Sequence, residues 1–170
     1  TANLVLNTRL RENNVIPTEA EMVLALKKDS IASFMQSVDD ISQRIRSKYL
    51  DGKSVKIELS QLELPETEGK PTQKMSRRSS ADIIGLVTNI WHGVFESGVI
   101  DGAQGIIASQ NLANINTSGD TVTIETKTRS ADLEKCDSYR IFNLENAARS
   151  FQVSVAYSNV SPLWHISPQS

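Results

Sequence analysis

The stretch Ser79–Gly98 constrains this chain most, because it joins its largest apolar side chains to its strongest helical spacing. Ile83, Ile84, Leu86, Val87, Ile90, Trp91, Val94 and Phe95 recur at three- and four-residue steps and cover more than one helical face, which predicts a central core helix. Ser79 or Ser80 suits its N-terminal cap, Asp82 suits a first turn where the helix dipole favours negative charge, and Gly98 suits its end. Such a helix must be covered on several sides by the rest of the chain.

Residues 1–16 mix Leu4, Val5, Leu6, Leu10, Val15 and Ile16 with Asn and Arg without a sustained period, and read as an N-terminal arm or, over Asn3–Asn7, as a short strand. Thr18 and Glu21, three apart after Pro17, form a capping box that predicts a helix carrying Met22, Val23, Leu24 and Leu26. Ile31, Phe34, Met35, Val38, Ile41, Ile45 and Tyr49 mark a second, clearly amphipathic helix, capped by Asp29 or Ser30 and stopped at Asp51-Gly52. From Ser54 the period falls to two, with Val55, Ile57 and Leu59 alternating against Lys56, Glu58 and Ser60 as in a half-buried strand. An exposed loop rich in Pro, Glu, Thr and Lys follows at 65–78.

Beyond the central helix, Ile106, Ile107, Leu112 and Ile115 suggest a short helix, and Thr121–Lys127 alternates Val122 and Ile124 with Thr and Glu as a strand. Asn143–Arg149 holds helix formers, Phe151, Val153, Val155 and Tyr157 alternate as a final strand, and 159–170, with Pro162 and Pro168, reads as a tail. Elements in the order α, α, β, α, β, β do not alternate as parallel βαβ units require. The expectation is an α+β fold, helices packed on a small, mostly antiparallel sheet, as one globular domain over 17–158 between an arm and a tail. A mainly α fold with short β ribbons is the alternative.

At 170 residues the chain can bury a sizeable core without staples, and its single cysteine, Cys136, excludes an internal disulfide and a cysteine-based zinc site. A net charge of -2 argues against a surface given over wholly to nucleic acid. No apolar run approaches the roughly 20 residues that span a bilayer, and no signal peptide is visible, so the expected location is cytoplasmic or within an assembled particle.

The chemistry available is sparse. His92 and His165 each follow a tryptophan, but His92 has no carboxylate or second histidine at i±3 or i±4 and His165 lies in the tail. No HExxH, CxxC, GxSxG or P-loop occurs, Asp39-Asp40 reads as a solvated pair, and no cofactor is implied. The most pronounced charge feature is Lys70, Lys74, Arg77 and Arg78, with no acid among residues 70–78, next to the free amides of a helix start. Arg44, Arg46, Lys48, Lys127 and Arg129 add scattered positive charge.

These features lead to the expectation of a non-enzymatic subunit that associates with copies of itself, as in a virus-type coat or capsid, with Lys70, Lys74, Arg77 and Arg78 as candidate contacts to RNA or other nucleic acid. An adaptor or regulatory domain that binds another protein through the Ser30–Leu50 helix or the terminal arms is one alternative. An enzyme using His92 is the other.

Overall fold

A computed structural model describes residues 4–9, 18–48, 56–61, 75–100 and 102–158. Three helices and a three-stranded antiparallel sheet give an α+β arrangement, as the element order predicts.

The chain opens with a hairpin-like pair, β1 (Leu4–Arg9) and β2 (Glu19–Leu24), antiparallel with Leu4 opposite Leu24 and Arg9 opposite Glu19. The helix expected from the Thr18/Glu21 capping box is therefore a strand. A local cap stabilises a helix by only about 1 kcal/mol, and six ladder positions with β1 outweigh it. After a single 3-10 turn at Lys28–Ser30, α1 runs from Ile31 to Lys48, as its spacing predicts. Asp39 and Asp40 sit on its exposed side, accepting from Gln43 at 3.1 Å and Gln36 at 3.0 Å. The strand expected over 54–60 is not seen: among the described residues Lys56–Gln61 has no ladder partner, and Ser54 and Val55 lie outside them.

The expected central helix is half helix and half strand. α2 spans Arg77–Asn89, and its cap is Ser76, whose Oγ accepts from the Ser79 amide at 3.0 Å, so Ser79 and Ser80 lie inside the first turn. Ile90 turns to extended backbone, Gly93 takes φ +115, and Gly93–Ile100 forms β3, in which Gly98 faces Gly105. Glycine supplies that left-handed φ at no steric cost, and the β-prone Val94, Val99 and Ile100 then pair in a ladder.

β4 (Ala103–Ser118) is the middle strand, with β3 on one side and β5 (Thr121–Ser130) on the other. A strand replaces the short helix expected around 106–115. Phe95 and Ile107 are each left over where the β3–β4 register slips, and Ala113 is left over opposite β5. These bulges scramble the apolar alternation that would have marked the strand. After the Ala113 bulge the buried positions change parity, from Ala108 and Gln110 to Ala113 and Ile115.

The third helix is continuous: α3 (Leu133–Arg140), a π turn at Ile141–Glu145, and α4 (Asn146–Phe151). Asp132 caps it, accepting from the amides of Glu134 at 2.9 Å and Lys135 at 3.3 Å, and Gln152 at φ 55 ends it. Phe151 thus closes a helix, and Val153–Ser158, expected to continue a final strand, has no ladder partner among the described residues. α4 packs on α2 above the sheet, where Leu86, Ile90 and Ala147 form a core flanked by Ile124, Leu144 and Phe151. None of the described helices is long and apolar enough to cross a membrane.

Candidate functional site

Charged, aromatic and hydrogen-bonding side chains meet where β3 reaches the third helix. Neighbouring strand residues normally face opposite ways, but the bulge at Phe95 turns both Phe95 and Glu96 toward α3. Phe95 stacks on Tyr139 with ring centroids 4.9 Å apart. Glu96 accepts from Lys135 Nζ at 2.7 Å through Oε1 and from the Tyr139 hydroxyl at 3.0 Å through Oε2. Lys135 and Tyr139 reach the same carboxylate because they stand four apart on one helix face. Ile107, the bulged residue on β4, has its carbonyl free of the ladder and accepts from the Ala131 amide at 2.9 Å, fixing the entry to α3.

The electrostatics of this cluster are self-consistent. Hydrogen bonds from Lys135 and then Tyr139 hold the Glu96 carboxyl below the usual glutamate value. The same carboxylate raises Lys135 and Tyr139 above their ordinary values. All three are therefore locked in one protonation state near neutrality: anionic Glu96, cationic Lys135, neutral phenol. The three contacts fasten the sheet to the third helix.

Trp91 extends the seam to the surface. Its amide donates to Asn143 Oδ1 at 2.9 Å, and its carbonyl accepts from Asn143 Nδ2 at 2.9 Å and Gln110 Nε2 at 2.8 Å. Gln110, only 2% exposed, completes its own bonding by accepting from Thr128 Oγ1 at 2.8 Å. Trp91 is nevertheless 61% exposed as a residue, and its ring meets that of Phe95 edge to face with centroids 5.9 Å apart. A second set of contacts ties down the end of the described chain. The Arg140 guanidinium lies 4.1 Å over the Tyr157 ring and pairs with Asp137 at 2.9 Å, while the Tyr157 hydroxyl donates to Glu145 at 2.9 Å. Burial, then the Glu145 bond, raises the Tyr157 phenol.

The residues singled out from sequence are not gathered here. Arg77 lines a cleft of about 310 Å³ with Lys27, Ala81 and Ile84, whereas Arg78 faces Asp82 at 3.8 Å, and Lys70 and Lys74 lie outside the described residues. His92 is exposed in the link between α2 and β3, not in a helix core, and His165 lies outside the described residues. Cys136 is half-buried on α3, and that burial pushes its thiol up, away from the reactive thiolate. Among the described residues, no three His, Cys, Asp or Glu side chains gather to hold a metal ion. Glu96, Gln110 and Asn143 carried no mark in the sequence. The Lys135/Tyr139 spacing after an Asp cap was readable, but nothing tied it to a carboxylate some forty positions earlier.

No family model matches the sequence, and no curated protein matches it. Among solved structures, the fold is similar to that of an aminoacylhistidine dipeptidase from Vibrio alginolyticus, with a TM-score of 0.79 and 18% identity over 99% of this chain and 33% of that one. The chain thus spans about a third of that enzyme's length. This likeness overturns the expectation of a self-assembling coat or capsid subunit: the fold running through nearly the whole chain is one that occurs inside a peptidase.

Proposed function

We propose that this chain is a non-reacting portion of a dipeptidase-type hydrolase, a domain that packs apolar surface against the part carrying the reacting groups. The observation that carries the reading is the TM-score of 0.79, which spans 99% of this chain but only 33% of the dipeptidase.

An antibody raised against the chain tests the proposal on the native source. The immunoprecipitate is expected to hydrolyse an aminoacyl-histidine dipeptide, while the purified 170-residue chain alone does not. A precipitate devoid of dipeptidase activity, or turnover by the chain alone, overturns it.

A further inference from the structure

We draw no further inference here: the strongest candidate, the cleft of about 310 Å³ between the link at 25–30 and the N-terminal end of α2, sets the exposed cations Lys27 and Arg77 beside a helix start, and nothing in the structure shows what occupies it.

Discussion

Gln152 and Gly85 show how single positions close the helical layer. Gln152 holds φ 55, and from there the Gln152 and Val153 amides both return to the Ala148 carbonyl. A side chain in that conformation costs stability that glycine avoids, so Gln152→Gly is expected to raise stability by about 0.5–1 kcal/mol in urea melts. Gly85 is the reverse case. A Cβ there would lie 2.5 Å from Cε1 of Phe151, because the ring rests directly on the α2 backbone. Gly85→Ala gains up to about 1 kcal/mol of helix propensity but loses about 1–3 kcal/mol to the clash, for a net destabilisation. In a Phe151→Leu background the same change is expected to stabilise, which a double-mutant cycle by chemical melts would read. Neither position was legible beforehand: Gln152 sat within an apparent alternation from Phe151 to Tyr157, and Gly85 within a helix that tolerates one glycine.

At the level of elements, the sheet and third helix are held by a lock whose strength depends on pH. Glu96 titrates below its usual value, so its contribution is complete above about pH 4.3 and is lost as pH falls through the lowered value. Lys135 and Tyr139 titrate above theirs, so their contributions are complete below about pH 10 and are lost as pH rises through the raised values. Glu96→Gln is expected to lower Tm at pH 7 and to flatten the fall of Tm between about pH 5 and 3, measured by calorimetry. In the unaltered chain, absorbance at 295 nm, an ordinary marker of phenolate, is expected to show Tyr139 and Tyr157 ionising above about pH 10. Glu96→Gln shifts only the first of these.

α1 and β5 were legible because each keeps a single period from end to end, Ile31 to Ile45 at helical steps and Val122 and Ile124 at alternate positions. β4 was not, because its Ile107 and Ala113 bulges reset the alternation twice. The central stretch was half legible: Ile83–Ile90 keeps the helical rhythm, and Trp91, Val94 and Phe95 continue it by coincidence into a strand that begins at Gly93. The α+β class survived these exchanges because tertiary pairing turned the expected Thr18 helix into β2 without altering the mixture of layers.

On the scale of the whole molecule, the described residues bury only small or few side chains, Ala108, Ala113, Ala147 and Ala148 beside Leu86, Ile90 and Ile115. A dye that brightens on apolar surface is therefore expected to bind the isolated chain and to bind the same region much less in the native protein; equal binding in both would contradict a packed partner. The π turn at Ile141–Glu145 has a reach of the same kind. Ahead of it the third helix presents Lys135 and Tyr139 to β3, and behind it Ala147 and Phe151 to α2, so the surplus residue works as a gear that sets the angle between two meshing faces. Removing Phe142, which is 75% exposed, would leave the spiral and its circular dichroism nearly whole while turning everything downstream by about 100°. A family tree of this fold should accordingly tolerate almost any letter at that position and almost never a missing one.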